Sequence, residues 1–351
     1  MKRLARAASA TPLAAAKPPR PLEYSSASSQ GDSPPSPGDD AVAPGVSVAS
    51  SALGAASASA TAVSVAAPWV AELHKHFTEL QQQKRGLYEE FLEMQSKSNA
   101  RVDQSRVTQS PAIVQDKNRY SNVLTFNDTR VRLGRGAGND YINASLVRGG
   151  RSSYILAQAP LDHTIEDFWT MAWEQNVPII VMLTSFWDGS TPKSSVYLPL
   201  RPGEAKVYGA FQVECESAHV DHEAMTRSVL RLSKRGVEAS RSIVHVRMDS
   251  WPDFGAVAGL RPVIALVREM QREVASKGGV PIVHCSAGIG RSGTFVAIAE
   301  AIDGQLPQGK ASERVPALVA KLRAQRMGCV QTVHQYQMIY EAVLCEFQIA
   351  S

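Results

Sequence analysis

One eight-residue segment constrains the fold of this chain more than any other: Cys285-Ser286-Ala287-Gly288-Ile289-Gly290-Arg291-Ser292. An apolar run, residues 280–284, precedes it, and the small and apolar residues 292–298 follow. This order predicts a buried strand, a tight loop and the first turn of a helix. Such a loop directs backbone N–H groups inward, and the helix dipole adds partial positive charge at its mouth. The segment is therefore predicted to bind an anion with several oxygens.

A cysteine and an arginine lie near the two ends of this segment. The planar guanidinium of Arg291 can hold two oxygens of an anion at once. The same positive field stabilises a thiolate, so Cys285 is expected to be a charged nucleophile at the floor of the anion site. The alternative for an isolated cysteine is a buried, inert thiol, but a packing cysteine needs neither flanking glycines nor an arginine. The pattern favours phosphoryl transfer to sulfur.

Residues 284–293 resemble the signature of the tyrosine-specific protein tyrosine phosphatases, which is His-Cys, five residues, then Arg-Ser/Thr-Gly. The resemblance implies that Cys285 attacks phosphorus while Arg291 holds the phosphate oxygens. It implies that Ser292 hydrogen-bonds the thiolate and that His284 lowers the thiol pKa through neighbouring hydrogen bonds. The loop amides would also bind phosphate, at Ser286, Ala287, Gly288, Ile289 and Gly290. No metal ion or cofactor is expected, because arginine and amides supply the charge stabilisation.

A general acid is required because the departing phenolate has a pKa of about 10. The segment from Trp251 to Gly255 resembles the family's mobile acid loop, with Asp253 as the acid and Trp251 in support. Taken alone, Pro-Asp is an ordinary surface turn. The family usually has a proline two residues after the loop glycine, where this chain has Val257. The stiffness and closing rate of the loop therefore stay open.

The second chemical step requires a water molecule aimed at the phosphocysteine. Residues 331–336 resemble the family's glutamine loop, in which Gln331 orients that water and Gln335 supports it. An amide suits this task because it donates to phosphate and accepts from water together. The alternative is a helix N-terminus that is merely rich in polar residues.

Selectivity for phosphotyrosine is predicted from pocket depth. Residues 117–120 are similar to the family's recognition loop, in which Tyr120 would stack on the substrate ring and wall a deep cleft. The alternative is that Tyr120 begins a strand and packs in the core. Asn122 stands where the family usually has an aspartate that holds the substrate backbone, so the amide keeps an acceptor and loses the charge.

Supporting residues are predicted around the cleft. Asp188 and Lys193 match the acidic and basic residues of a flanking loop, and an ion pair from Asp188 to the phosphate-binding arginine is plausible by resemblance. Arg323 and Arg326 are expected either to line a basic rim beside the pocket or to end a helix in solvent. Residues 139–144 and 167–174 resemble core motifs of the family and are interpreted as scaffold.

The composition divides the chain of 351 residues into two regions. Residues 1–66 are rich in Ala, Ser, Pro and Gly and hold one aromatic residue, Tyr24, so they are predicted to be a disordered tail. Residues 67–351 are predicted to form the catalytic domain. Residues 41–67 are uncharged, but Ala, Ser and Gly are too weakly apolar for a membrane span.

The cysteine content and the net charge limit the cellular location and the binding partners that the sequence predicts. The cysteines lie far apart in sequence and show no zinc-ligand spacing, at Cys215, Cys285, Cys329 and Cys345. With no secretory signal, they indicate free thiols in the cytoplasm, with the nucleus as a further location. The basic first 22 residues resemble an organelle transit peptide, which is the alternative. A net charge of +4 predicts no nucleic-acid partner. Phosphotyrosine proteins are the expected partners, and a monomer is the default oligomeric state.

Alternating apolar patterns predict an α/β fold, a central mixed, twisted sheet flanked by helices, which the resemblance also implies over residues 68–350. A helical face begins at Trp69 and continues through Phe91. Strand-like runs cover residues 154–157, 178–186, 208–214, 229–232 and 243–247. Helix-like runs cover residues 261–276, 294–302, 313–326 and 332–346.

The sequence therefore predicts a protein tyrosine phosphatase, and two rivals stay open. A catalytically dead phosphotyrosine-binding module commonly lacks one of Cys285, Arg291 and Asp253, which are all present. The second rival is a phosphatase that acts on phosphoserine or phosphoinositides. Tyr120 argues against it through pocket depth, and the cysteine loop lacks the lysines that favour highly charged lipid head groups. The thiolate is also expected to oxidise in mild peroxide to a sulfenic acid that condenses with the nitrogen of Ser286, and added thiol should restore activity.

Overall fold

The fold comes from a computed structural model that describes residues 68–108, 115–135, 139–221, 225–252, 255, 257 and 259–347. The predicted tail, residues 1–66, lies outside these ranges. So does Asp253, the predicted general acid.

The strands within the described ranges form one large and one small sheet. They are β1 (Arg130–Arg132), β2 (Tyr141–Arg148), β3 (Ser153–Ala157), β4 (Ile179–Met182), β5 (Trp187–Asp188), β6 (Thr191–Pro192), β7 (Ala205–Tyr208), β8 (Phe211–Val220), β9 (Met225–Lys234), β10 (Ser240–Met248) and β11 (Ile282–His284). The order in the large sheet is β1-β2-β3-β11-β4-β10-β9-β8-β7, and β5 pairs with β6 alone. The central neighbours β3, β11, β4 and β10 run parallel, and the flanking pairs run antiparallel. The predicted mixed sheet is confirmed.

Strand β11 lies at the centre of this parallel group. Its residue His284 pairs with Ala157 on one side and Met182 on the other. The next residue, Cys285, therefore emerges at the carboxyl edge of the parallel strands, which is where α/β sheets form ligand sites.

Seven helices of eight residues or more are found among the described residues, and they cover both faces of the sheet. They are α1 (Pro68–Gln82), α2 (Gly86–Ala100), α3 (Ile165–Glu174), α4 (Arg261–Lys277), α5 (Gly290–Ile302), α6 (Ala311–Arg323) and α7 (Val333–Glu346). Alternate residues of β3 face opposite cores: Tyr154 and Leu156 pack with α1, α2 and α4–α7, whereas Ile155 and Ala157 pack with α3. Helix α5 is buried on all sides, so the helix that begins in the cysteine loop lies inside the domain.

Two sequence predictions of single elements were wrong. The helical face from Trp69 to Phe91 is broken between α1 and α2, where Gly86 lies so close to the preceding helix that an added Cβ would be 2.7 Å from the Leu80 carbonyl. The strand-like run 208–214 is a hairpin, because Gly209 has a φ of +60° between β7 and β8. In both cases a glycine allows a turn that the apolar pattern does not show.

Helix α1 is expected to be part of the folded domain, because its buried Phe77 stacks on Tyr340 of α7 with ring centroids 5.1 Å apart. Replacing Phe77 with Ala should lower the free energy of unfolding by about 3–5 kcal/mol, through lost burial and a cavity. Denaturant titration measures this. Lys75→Ala, at an exposed position of the same helix, is the control and should change stability by less than about 0.5 kcal/mol. Equal, small losses for both would show that α1 does not contribute to the fold.

Candidate active site

The backbone of the cysteine loop is turned so that its carbonyl groups point outward. The Ser286 carbonyl accepts from the Ala159 N–H at 2.9 Å. The carbonyls of Ala287 and Gly288 accept from Arg326 at 3.1 and 2.7 Å. In a trans peptide the next N–H points the opposite way, so these peptides direct N–H groups into the loop. One of them, the Gly288 N–H, donates to the Cys285 Sγ at 3.2 Å.

Glycine is needed at the centre of this loop for two reasons. Gly288 has a φ of +69°, a region that favours glycine, and an added Cβ would lie 2.0 Å from the Ala157 carbonyl oxygen. At Gly290 an added Cβ would lie 2.3 Å from Gln331 Oε1 and 3.2 Å from Gln335 Nε2. The second glycine thus makes room for the two predicted water-positioning amides beside the loop.

Arg323 and Arg326 do not form a basic rim, nor do they end a helix in solvent. Arg326 is completely buried, and besides the two loop carbonyls it donates to Asn143 Oδ1 at 2.9 Å. Arg323 is also buried, and it donates to the carbonyls of Cys329 and Val330 at 2.8 and 2.6 Å. Both guanidiniums hold backbone carbonyls rather than substrate. The carbonyls that Arg326 binds lie 38 and 39 residues before it in the chain, which a local sequence pattern does not reveal.

The Cys285 thiol lies at the floor of the loop, 3% exposed. Burial raises its pKa, but the charge of Arg291 and hydrogen bonds from Ser292 and from the Gly288 N–H outweigh burial, so the pKa is lowered overall. The Ser292 hydroxyl is buried and has no other hydrogen-bond partner among the described residues, so it is available to donate to the Cys285 sulfur. A buried thiol with a lowered pKa is a ready nucleophile.

The other buried cysteines show the opposite behaviour. Burial raises the pKa of Cys329 to about 12, and burial likewise raises the pKa of Cys215. All cysteines of the chain are free thiols. Of the three buried ones, Cys285 alone has a lowered pKa, so its surroundings distinguish it from an inert packing thiol.

Arg291 links the loop to the segment that carries the predicted acid. Its Nη1 donates to the Trp251 carbonyl at 2.8 Å, and its Nη2 lies 3.3 Å from Thr184 Oγ1. Trp251 is buried, and its Nε1 donates to the Gly255 carbonyl at 3.2 Å. This hydrogen bond connects the two ends of the turn from Trp251 to Gly255. Asp253 lies inside this turn in sequence and outside the described residues, so its role stays a prediction.

The glutamine segment is held in a strained backbone. Val330 has a φ of +62°, which for a β-branched residue costs on the order of 1–3 kcal/mol. Its N–H donates to the Ile289 carbonyl at 3.2 Å, so the cysteine loop fixes the strained residue directly. The Gln331 N–H then donates to Gln335 Oε1 at 2.9 Å. The structure therefore brings both glutamines to the cysteine loop, and their role in positioning water stays a prediction.

Tyr120 is partly exposed at the edge of the site rather than packed in the core. Its Oη lies 2.9 Å from Ser286 Oγ, and Ser286 Oγ donates to the Lys193 carbonyl at 2.9 Å. Because that hydroxyl has only one proton, Tyr120 is the donor in the first bond. Asn122 is exposed two residues further. Hydrogen bonds thus join Tyr120, the cysteine loop and the segment that follows the β5–β6 hairpin.

The ion pair proposed between Asp188 and the phosphate-binding arginine is not formed. Asp188 lies on the exposed β5–β6 hairpin and pairs with Lys193 at 3.6 Å. Its carboxylate has 64% side-chain exposure, so the interaction is weakly stabilising. Asp188 and Lys193 therefore shape the hairpin beside the site.

Predicted scaffold residues hold the recognition segment in place. Asn118 Oδ1 accepts from Tyr141 Oη at 2.7 Å and from Asn143 Nδ2 at 2.8 Å. Arg119 is fixed by its N–H, which donates to Gln158 Oε1 at 2.9 Å. These contacts agree with the interpretation of residues 139–144 as supports rather than substrate contacts.

Sequence reasoning missed a buried hydrogen-bond chain behind the loop. Tyr197 Oη lies 2.6 Å from His284 Nε2 and 2.7 Å from His245 Nε2, and His284 Nδ1 lies 3.1 Å from the Cys285 carbonyl. A carbonyl only accepts, so neutral His284 carries its proton on Nδ1 and accepts from Tyr197 at Nε2. Tyr197 then accepts from His245. Neither Tyr197 nor His245 lies in a recognisable motif, so only spatial proximity identifies them.

Two features are absent from the described residues. No group of three or more His, Cys, Asp or Glu side chains within them is arranged to hold a metal ion. Among the same residues, no helix combines the length and apolar character that crossing a bilayer demands.

Comparison with known proteins identifies relatives for most of the chain. Residues 114–345 match the sequence profile described as protein-tyrosine phosphatase. Tyrosine-protein phosphatase non-receptor type 9 of Mus musculus is 35% identical over 281 residues, which is 75% of this chain and 46% of that protein. Tyrosine-protein phosphatase non-receptor type 7 of Homo sapiens is 36% identical over 235 residues, 65% of this chain and 63% of that protein. The chain thus spans about half to two thirds of the length of these relatives.

The thiolate of Cys285 should depend on the charge of Arg291. Replacing Arg291 with Met removes the strongest attraction on the sulfur, so the thiol pKa should rise by about one unit or more. Alkylation of Cys285 by iodoacetamide as a function of pH, followed by peptide mass spectrometry, gives the midpoint. The exposed Arg201→Met is the control and should titrate as wild type. An unchanged midpoint in Arg291→Met would refute the electrostatic explanation.

The buried histidines should make stability fall in mild acid. Burial lowers the pKa of His284 to about 4 and that of His245 to about 3. A histidine in the unfolded chain has a pKa of about 6.5. As the pH falls below about 6.5, the unfolded state binds protons that the folded state does not. Each histidine then removes up to about 1.4 kcal/mol of stability per pH unit.

Denaturant titrations between pH 7 and pH 4 measure this slope. His245→Gln should make it shallower, whereas His219→Gln, at an exposed position of β8, should leave it as in wild type. Identical slopes in all three proteins would mean that the acid sensitivity arises elsewhere.

Proposed function

Because the chain belongs to the protein-tyrosine phosphatase family, we propose that it hydrolyses phosphotyrosine in proteins through a phosphocysteine intermediate. One observation carries the proposal: a buried thiol of lowered pKa lies beneath inward-facing amides and beside a guanidinium. That arrangement places a nucleophile under the three oxygens of a bound phosphate ester.

In the first step the Cys285 thiolate attacks phosphorus, and the bond from phosphorus to the tyrosine oxygen breaks. Arg291 and the loop amides hold the remaining phosphate oxygens, whose charge they offset. Asp253 gives its proton to the departing phenolate, which otherwise leaves slowly at neutral pH. The role of Asp253 rests on the resemblance of residues 251–255 to the family's acid loop.

In the second step a water molecule attacks phosphorus, and the sulfur–phosphorus bond breaks. The deprotonated Asp253 accepts a proton from that water, and Gln331 orients it. The Ser292 hydroxyl donates to the returning thiolate, which its position beside the sulfur supports. Inorganic phosphate then leaves the loop.

Selectivity for tyrosine is proposed to come from Tyr120. The hydrogen bond from Tyr120 to Ser286 fixes a ring at the edge of the loop, so a phosphorylated side chain must pass it to reach the thiolate. Phosphoserine is shorter than phosphotyrosine and is expected not to reach that depth. Asn122 is exposed two residues away, which supports a role for its amide oxygen in accepting a hydrogen bond from the peptide backbone.

We also propose that the protein acts in the cytoplasm, without nucleic acid as a partner and as a monomer by default. The free state of all four cysteines supports a reducing compartment. Residues 1–66, which include the basic segment that resembles a transit peptide, lie outside the described ranges.

Phosphate release from matched phosphotyrosine and phosphoserine peptides, with chelator and reductant present, tests the proposed activity. Wild type should hydrolyse the phosphotyrosine peptide only, and Cys285→Ser should bind it without turnover. Asp253→Ala should lose about 100-fold or more in kcat. Cys215→Ser, a buried cysteine on β8, is the control and should keep full activity.

Two outcomes would overturn the proposal. Binding without turnover by wild type would make the chain a phosphotyrosine-capture module. Comparable turnover of phosphoserine would remove the role of Tyr120 in selectivity.

A further inference from the structure

A carboxylate on helix α2 contacts the helix that carries the predicted water-positioning segment. Glu90 Oε1 accepts from Tyr336 Oη at 2.8 Å and from Tyr340 Oη at 2.6 Å, both on α7. Glu90 Oε2 lies 2.7 Å from His76 Nε2 on α1. One side chain therefore joins three helices. Helices α1 and α2 precede the family-matched residues 114–345.

These contacts are largely shielded from solvent. Tyr336 and Tyr340 have no exposed surface, and the Glu90 side chain is 13% exposed. Hydrogen bonds to an ionised acceptor are shorter and stronger than neutral ones, and a buried hydroxyl left without a partner is costly. Phe91, next to Glu90, packs on the Tyr336 ring with centroids 5.6 Å apart. The link between α2 and α7 is thus both polar and apolar.

Two routes lead from this link to the Gln331 segment. Tyr336 directly follows Gln335, whose Oε1 holds the Gln331 N–H at 2.9 Å. The Arg323 guanidinium lies over the Phe91 ring at 5.8 Å and donates to the carbonyl of Val330 at 2.6 Å. Both the residue before Gln331 and the helix after it therefore depend on side chains that pack against α2.

We propose that Glu90 is a positioning residue for the hydrolysis of the phosphocysteine. Its carboxylate holds Tyr336, and Tyr336 holds the first turn of α7 in the place that Gln331 and Gln335 require. This inference rests on the proposed function. The first step depends on Cys285 and the Arg291–Trp251 contact, neither of which has a hydrogen bond to Glu90. Glu90 should therefore affect the second step and spare the first.

Rapid mixing with p-nitrophenyl phosphate separates the two steps, because the burst reports formation of the phosphocysteine and the steady state reports its hydrolysis. Tyr336→Phe should slow hydrolysis by about threefold to tenfold, the effect of one lost hydrogen bond. Its burst rate constant should stay within about twofold of wild type, and its burst amplitude should rise. Glu90→Ala should show the same pattern with a larger effect.

The matched control is Tyr340→Phe, which removes the other buried hydroxyl on the same Glu90 oxygen, one helical turn further from Gln331. It should lose similar thermal stability and keep wild-type rate constants for both steps. Glu93→Gln, in an exposed ion pair with Lys97 on α2, should alter neither stability nor rates. A purely structural role would make Tyr336→Phe and Tyr340→Phe indistinguishable.

A double-mutant cycle tests the route through Gln331. If Glu90 acts on that residue, Glu90→Ala should slow hydrolysis no further in a Gln331→Ala background. Independent, multiplicative effects would overturn the inference, as would equal slowing of both steps. A wild-type protein without any turnover would instead overturn the proposed function, and this inference with it.

Discussion

A buried thiol whose pKa is nevertheless lowered is the constraint on which the rest of the site depends. Burial alone would raise the pKa of the Cys285 thiol, as it does for the fully buried Cys329. The difference comes from Arg291, the Ser292 hydroxyl and an inward N–H, which together outweigh desolvation. Each of these groups must itself be oriented. The surrounding fold is therefore best understood as the set of contacts that keeps them pointing at one atom.

Orientation of the amides is achieved indirectly, through their carbonyls. Arg326 binds the outward carbonyls of Ala287 and Gly288, and the Ala159 N–H binds that of Ser286. A buried guanidinium is expensive to desolvate, and burial indeed lowers the pKa of Arg326. This desolvation cost is offset because the planar guanidinium can fix two adjacent peptide groups at once. Behind the loop, the Tyr197–His284 pair holds the Cys285 carbonyl in the same way, without placing a charge near the sulfur.

How much of the site can be predicted from sequence depends on whether the residues responsible for each feature lie close together in the chain. The strand, loop and helix around Cys285 are predictable because small residues, apolar runs and glycines lie within about twenty positions. Arg326 was misjudged because a polar residue at a helix end is normally solvated, and its carbonyl partners are far away in sequence. The hairpin at Gly209 was missed because the apolar pattern continues through the turn. Contacts between distant segments are set by the tertiary fold, which a single sequence does not display.

The glutamine segment shows why the domain is larger than its recognisable motifs. Val330 is held at a φ of +62° and gains nothing locally from that conformation, so external contacts must supply the stabilisation. Arg323 and the Ile289 carbonyl provide two of them. Helix α2 supports this arrangement with Glu90 and Phe91, which fix α7 and the Arg323 guanidinium. Strain near a reacting centre persists only when neighbouring structure over-determines it, and here part of that structure lies before residue 114. A chain shortened to residues 114–345 would keep the nucleophile, the arginine and both glutamines, yet lose the carboxylate that orders the segment beside them.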